Sequence, residues 1–527
     1  MHCVLILLVS TQLNTSYIFK RVINFVHMKD KIIFWLDADL THFGLAKYLQ
    51  EHYDCDMYAI IDITNKPKKF FKTQQLVKFQ KIWFYHDYIQ KSNDLPDMAY
   101  LAEFEEKYKI NLWLIAHNER IFYNYNEFYK FSTNEVLKIL EQECKLFETV
   151  LDETNPDFLI MRAGDLQQTQ IFYELCKAKG IKLLLLGQTR FAYRYIISPY
   201  WHDIDPIRNL SESTKQNKTF DELLNYWKGI DLFKNQSDVI AEFRGSKMSR
   251  VKAIYKFLTS DNQNVKTHYT YYGRTKLRVL IKMTILLTRG KIREFYINRN
   301  LIREIKEKVP FFFFPLHVDQ ESTLLLGAPF HTNQLEIITN IAKSLPVGYQ
   351  LYVKEHPVMK MRGWRSISYY KQLMNLPNVK VLHPSINPDE IMKKCSLVLA
   401  ITSTAGLEAA FHQKCSIIFA DAPYSILSSV YRIRDVEELP KVIRSIIKKD
   451  VDIKDLNRYV NFVSDNSFKF NNHKIERGYS QYFYYNGNLT DVEITEEQMK
   501  SFLENHDLEF KQLALEHVKQ IQHYKKD

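Results

Sequence analysis

Glycine is scarce in this chain, at 14 in 527 residues, and none falls into a G-x-G-x-x-G, Walker-type or G-x-S-x-G pattern. Dinucleotide redox chemistry, P-loop nucleotide hydrolysis and serine hydrolysis are therefore disfavoured. The six cysteines (Cys3, Cys55, Cys144, Cys176, Cys395, Cys415) are scattered without a C-x-x-C pair. That pattern excludes a disulfide framework or zinc ribbon and fits a reducing cytoplasm. No histidine pair has metal-ligand spacing, and the Asp37-x-Asp39 pair of "DADLTHFG" has no second acidic cluster to support it, so no metal is expected. Long apolar runs are missing too: "LRVLIKMTILL" is interrupted by Lys282, and the opening "MHCVLILLVSTQ" is too short to span a bilayer. That opening also lacks the basic region and cleavage site of a signal peptide. Met28, just ahead of "KDKIIFWLDADL", is an alternative start that the onset of the first strand favours.

What is present is the composition of a globular protein, 46% hydrophobic and 25% charged. Its length exceeds one ordinary core, so two domains with extensions are expected. The net charge of +11 is concentrated: residues 244–308 hold 17 Lys and Arg against 4 Asp and Glu, leaving the remainder close to neutral. Such a block suits peripheral contact with an anionic membrane surface, a polyanionic acceptor, or a solvated helical face. No reader motif accompanies it, so nucleic acid is not an expected partner.

Strand and helix patterns alternate, which argues an α/β fold with parallel sheets. "KIIFWL" reads as a strand, "THFGLAKYLQEH" as a helix capped by Thr41, and "DMYAIIDI" as the next strand. "PDFLIMRAGD", "LQQTQIFYELCKAKG" and "IKLLLLGQTR" form a β-α-β unit with a glycine stop. From about 195 to 305 the alternation gives way to polar, basic, helical sequence. A second series follows, with five strands from "VPFFFFPLHV" to "CSIIFAD", and the chain closes in a helical run ending "EEQMKSFLENHDLEFKQLALEHVKQIQHY". The expected layout is an extension over 1–27, a Rossmann-like domain over 28–195, a basic helical insertion over 196–305, a second Rossmann-like domain over 306–450, and a helical extension over 451–527.

Ligands of such sheets bind at the carboxyl ends of the strands, where the polar candidates collect. "YQLYVKEHPVMKMR" delivers Lys354, Glu355 and His356 to a strand end, with Pro357 fixing the turn and Arg362 and Arg365 following. These residue types suit an anion, through cationic contacts and a histidine that hydrogen-bonds or acts as an acid. One strand-pair later, "LAITSTAGLEAAFH" turns from strand to helix through Thr402, Ser403, Thr404, Ala405 and Gly406. Amides and hydroxyls at a helix start favour phosphate, the glycine would let a ligand approach, and Glu408 could accept sugar hydroxyls. Taken alone the turn is a helix cap; beside Lys-Glu-His-Pro it reads as half of a two-loop phosphate clamp. "DADLTHFG" places Asp37, Asp39 and His42 after the first strand, and "MRAGD" and "GQTR" place Arg162, Asp165 and Arg190 after two others. Asp319, Gln320 and Glu321 of "HVDQEST" border the second domain's first strand.

Residues from about 311 to 425, including "LYVKEHP" and "ITSTAGLEAAF", resemble the capsule polysaccharide biosynthesis protein family. That family is similar to GT-B glycosyltransferases, including those that use CMP-activated sugars such as Kdo. The resemblance implies a GT-B-like pair of Rossmann-like domains facing a cleft. It also implies a nucleotide-sugar donor, CMP- or UDP-linked, held by His356 with Pro357 and by Ser403 with Thr404. On this reading Lys354, Glu355, Arg362 and Arg365 assist the donor, and Asp37, Asp39 or His42 is the base. Arg162, Asp165 and Arg190 line the acceptor side, and Asp319, Gln320 and Glu321 are candidates for donor or acceptor contacts. The implied protein is a metal-independent transferase without a resident cofactor, cytoplasmic or peripheral at the inner membrane face, extending a surface polysaccharide or its lipid-linked acceptor. Glycerophosphate transfer from CDP-glycerol and a non-catalytic binding or export role are the alternatives.

Overall fold

A computed structural model describes residues 29–526 apart from 64, 124, 163, 165, 190, 192–193, 201–216, 229–246, 262–266 and 306–308. The described residues begin with strand β1 (Asp30–Leu36), helix α1 (Thr41–His52), and strands β2 (Cys55–Ile61) and β3 (Lys81–Phe84). Helix α2 (Thr133–Thr154), β4 (Phe158–Arg162), α3 (Gln167–Ala178), β5 (Lys182–Gln188) and β6 (Arg194–Ser198) follow. Thr41 is not the cap of α1 but its first helical residue; Leu40 takes the cap position without a side-chain bond. The Asp39 carboxylate accepts from the Thr41 amide at 3.0 Å instead. Helix α2 has the box its sequence spells, with Ser132 and Glu135 exchanging backbone bonds.

Among the described residues, helices α4 (Phe220–Lys228), α5 (Lys247–Thr259) and α6 (Lys276–Asn300) lead to the second domain. Then come β7 (Phe311–Pro315), α7 (Gln334–Ser344), β8 (Gln350–Lys354), α8 (Ile367–Met374) and β9 (Val379–Leu382). Helix α9 (Pro388–Lys394), β10 (Leu397–Ala400), α10 (Ala405–Phe411), β11 (Ser416–Ile418) and β12 (Val430–Arg432) complete it. The described strands of this sheet run in the order β12-β11-β10-β7-β8-β9, all pairs parallel. The run "FFFF" in β7 is buried on both sides: Phe312 and Phe314 enter one core cluster, Phe311 and Phe313 the other. A parallel strand covered by helices on both faces needs that continuous apolar run rather than alternation. Strand β12 goes beyond the five expected, too short to leave a pattern of its own.

The C-terminal run is not one helical tail. Helix α11 (Ile453–Asp465) leads to a short strand β13 (Phe468–Lys469), then α12 (Asn472–Tyr482), α13 (Glu496–Asn505) and α14 (Asp507–Tyr524). Strand β13 joins the first domain's sheet, whose order is β13-β6-β5-β4-β1-β2-β3. Strands β5, β6 and β13 pair antiparallel, so this sheet departs from the all-parallel expectation at one edge. Helix α14 packs on α1, where a Cβ at Gly44 would overlap the Phe510 ring. The missing side chain lets the helices close, and Tyr48 stacks on Phe510 at 5.8 Å. The architecture is thus two Rossmann-like domains with parallel-dominated sheets, the chain's end returning to the first.

A candidate two-pocket active site

The carboxyl ends of the second sheet's strands open into a cavity of about 360 Å³ lined by Lys354, His356, Ser403, Thr404, Glu408 and Trp227, among others. Strand β8 ends at Lys354, and Pro357 starts a single 3-10 turn capped by His356, whose Nδ1 accepts from the Val358 amide at 3.3 Å. With Nδ1 accepting, the ring proton sits on Nε2, so His356 offers a neutral N–H donor. Burial, helped by the charges of Lys354 and Arg365, pushes the His356 pKa down to about 4. Lys354 is only 5% exposed. Burial lowers its pKa to about 8, against the opposing pull of Glu355 and Glu408. Glu408 goes the other way, raised to about 7 by burial and Asp389. A buried lysine whose charge desolvation penalises is stabilised by an incoming anion.

Three neighbours expected to meet substrate are engaged within the protein. Glu355 is fully buried, accepting from the Arg365 Nε at 3.0 Å, the Tyr370 hydroxyl at 2.5 Å and the His356 amide at 2.7 Å. Arg365 also binds the Asp319 carboxylate and the His317 carbonyl, so its guanidinium is occupied rather than offered to an anion. Burial opposes that charge, but Glu355 and Asp319 overcome it and hold its pKa above the usual value. Arg362 is exposed and donates to the Gln320 side chain at 2.8 Å. Asp319 and Gln320 bridge domains: their carbonyls accept from the Tyr125 hydroxyl at 3.1 Å and the Arg120 guanidinium at 3.2 Å. Arg362, Arg365, Asp319 and Gln320 position the His356 loop and lie outside the pocket lining, whereas Glu355 lines the pocket with its carboxylate already engaged.

A second cavity of about 340 Å³ lies between the domains, lined by Asp39, His42 and Arg162 on one side, Thr402 on another, and His473 and Glu476 from α12. Arg162 pairs with Asp39 at 3.0 Å. The Asp39 amide donates to the Asp37 carboxylate at 2.7 Å. Burial, with Asp39 beside it, raises the Asp37 pKa to about 8, against the opposing charge of Arg162. His42 is 3% exposed, and its Nε2 has no partner among the described residues. Burial lowers its pKa to about 4, leaving a neutral imidazole whose other contact is the Met161 backbone. A buried polar atom left without a bond is costly unless something arrives to meet it. Asp165 and Arg190 lie outside the described residues.

The turn at 402–405 divides the two cavities. Thr402 faces the cleft, its amide bonded to His317 Nε2 at 3.1 Å, while Ser403, Thr404 and Ala405 face the Lys354 pocket. Gly406 plays a different part from the one expected: an added Cβ would lie 2.8 Å from the Tyr424 hydroxyl, which donates to the Ser403 carbonyl. The glycine admits Tyr424, and Tyr424 pins the turn. Helix α4, read as linker, adds Trp227, which stacks on Phe411 at 4.9 Å. Asn387, Pro388, Asp389 and His412 also line the pocket and were missed. "INPDE" sits at a strand end and carries the Asn-Pro cap signature, the one signal that could have found three of them. Among the described residues, no cluster of three or more histidines, cysteines or carboxylates has metal-binding arrangement.

Residues 211–428 match the model of the capsule polysaccharide biosynthesis protein family. Over this span the resemblance carried by the Lys-Glu-His-Pro and Ser-Thr motifs holds. No curated protein sequence matches the chain. Among solved structures, UDP-GlcNAc 2-epimerase from Methanocaldococcus jannaschii aligns at 13% identity over 82% of this chain and 99% of its own, TM-score 0.25. KpsC from Thermosulfurimonas dismutans, a β-Kdo 2,7 transferase, aligns at 12% identity over 60% of this chain and 79% of its own, TM-score 0.28. The N-terminal domain of Candida albicans trehalose-6-phosphate phosphatase aligns at 11% over 83% and 94%, TM-score 0.30.

Proposed function

We propose that this protein is a glycosyltransferase of surface polysaccharide synthesis, moving a sugar from a nucleotide donor to a glycan or glycolipid acceptor. The observation that carries the reading is the pair of cavities on either side of residues 402–405. One offers a lysine, a neutral imidazole N–H and hydroxyls; the other offers an unspent imidazole nitrogen. In this reading the donor's phosphate lies against Lys354, His356 Nε2–H and the Ser403 and Thr404 hydroxyls, and Trp227 supplies an aromatic wall. Charge building on the departing phosphate is stabilised there by groups already oriented for it. His42 Nε2 takes the proton of the attacking acceptor hydroxyl as the bond between sugar and phosphate breaks. Asp39 with Arg162 fixes the start of α1 and so the placement of His42. Glu355 and Arg365 do the same for the loop of His356.

Thermal shift against CMP, CDP, UDP and GDP tests the reading, run with and without EDTA. One nucleotide should raise Tm selectively, and EDTA should leave the shift unchanged because Lys354 supplies the charge. No shift with any nucleotide would refute the donor assignment. A product that retains a phosphate by mass would make the enzyme a glycerophosphate transferase instead. Polysaccharide synthesis that survives both His356→Ala and Ser403→Ala in cells would leave only a non-catalytic role.

A further inference from the structure

We propose that the outer face of helix α6, continued by α5, is a docking surface for an anionic lipid bilayer. Helix α6 has 25 residues, of which Ile297 alone is buried. At 1.5 Å per residue that is a rod of roughly 37 Å. Its outward stripe runs Leu277, Ile281, Thr284, Thr288, Ile292 and Phe295, spaced three or four residues apart. Leu277 and Phe295 are 68% and 67% exposed, and Ile292 is 57% exposed. Large apolar side chains left in water at helical spacing are unusual on a molecule whose cores are otherwise closed. Helix α5 repeats the arrangement, with Met248, Val251, Tyr255 and Leu258 exposed. Lys276 ties the two helices together by donating to the carbonyls of Leu258 and Ser260 at 2.7 and 2.6 Å.

Charge selects the occupant. At 100° per residue the α6 stripe is flanked by Arg278 and Arg289 on one side and Lys291 on the other, with Arg299 at its end. Glu294 is the helix's one carboxylate and is paired inward with Lys360 at 2.7 Å. Helix α5 has Arg250, Lys252 and Lys256 and no acidic residue. A basic helix with an apolar face suits the headgroup region of anionic lipid, where both features contribute together. Among the described residues no helix is long and apolar enough to cross a membrane, so the contact is lateral. The inner face of α6 is committed to the protein: Arg293 donates to the Gly363 and Trp364 carbonyls at 3.1 and 2.8 Å, and Leu286 packs on Gly363. Those residues close the loop that begins at His356, so docking would hold that loop at the lipid surface. The surface stands whether or not the cleft transfers a sugar.

Vesicle flotation of the full chain tests it. The protein should float with vesicles of equal parts phosphatidylglycerol and phosphatidylcholine, and bind pure phosphatidylcholine at least about tenfold more weakly. The Leu277→Ser/Ile281→Ser/Phe295→Ser variant should lose about tenfold or more in binding at unchanged Tm. Arg289→Gln/Lys291→Gln/Arg299→Gln, which keeps the apolar stripe, should bind both vesicle types alike. Equal binding by the serine variant, or no flotation of the wild type with either vesicle, would overturn the proposal. In the latter case, a sedimenting dimer that the serine substitutions dissociate would assign the face to a second copy of the chain.

Discussion

The two cavities flanking residues 402–405 differ in how the chain builds them. The pocket of Lys354 and His356 draws on residues between 227 and 412, mostly strand ends of a single sheet. The cleft pocket draws on the start of α1, the end of β4, the turn at 402 and helix α12, from across more than four hundred residues. The first is assembled by local turns and the second by the return of the C-terminal segment to the first domain. Their electrostatics differ accordingly. Lys354 is a buried cation whose pKa desolvation lowers to about 8, whereas His42 is a neutral ring with an unspent nitrogen. On the proposed reading, anion binding and proton removal fall on different domains, so variants should separate them.

The largest separation should come from His42→Ala. Turnover should fall about 10²- to 10⁴-fold, the range for losing a general base, while the nucleotide's thermal shift is unchanged. A matching fall in nucleotide affinity would merge the two pockets into one. Next is Arg365→Ala, which leaves Glu355 buried without its ion partner. Stability should drop by about 3–5 kcal/mol in denaturant unfolding, and a loss under about 1 kcal/mol would show that Arg365 does not organise the loop.

Lys354 gives the third test. Its charge is present below about pH 8 and lost as pH rises through that value, so nucleotide affinity should fall about tenfold between pH 7 and 9. Lys354→Met should bind weakly and show a flat profile over that range. A flat wild-type profile would remove Lys354 from the phosphate. The smallest effect belongs to Gly406→Ala, where the new methyl meets Tyr424. It should cost about 1–3 kcal/mol by displacing that ring, with nucleotide affinity following only as far as the turn shifts. A variant of wild-type stability would show that Tyr424 does not pin the turn.

The motifs of the second domain were legible because each sits where a strand pattern stops. His356 after "QLYV" and Ser403 after "LVLAIT" needed only hydrophobic runs and turn residues to be found. Their neighbours misled for an equally physical reason. Glu355, Arg362 and Arg365 have the chemistry of ligand groups, yet Tyr370, Gln320 and Asp319 occupy them, and those partners lie 15 to 46 residues away. Trp227 gave no signal, since a tryptophan in a polar helical stretch looks like packing until Phe411 is seen beneath it.

By itself the sequence determined the α/β alternation, the two series of strands and the strand-end positions of the polar candidates. Those depend on periodicity and turn chemistry within a dozen residues. Only the tertiary structure decided which polar atoms remain unspent, where β13 and α14 return, and which face of α6 stays outside. A hydrogen-bond partner is chosen by three-dimensional proximity, and burial sets its worth. His42 shows this most plainly, since its significance rests on a nitrogen that no other described group meets.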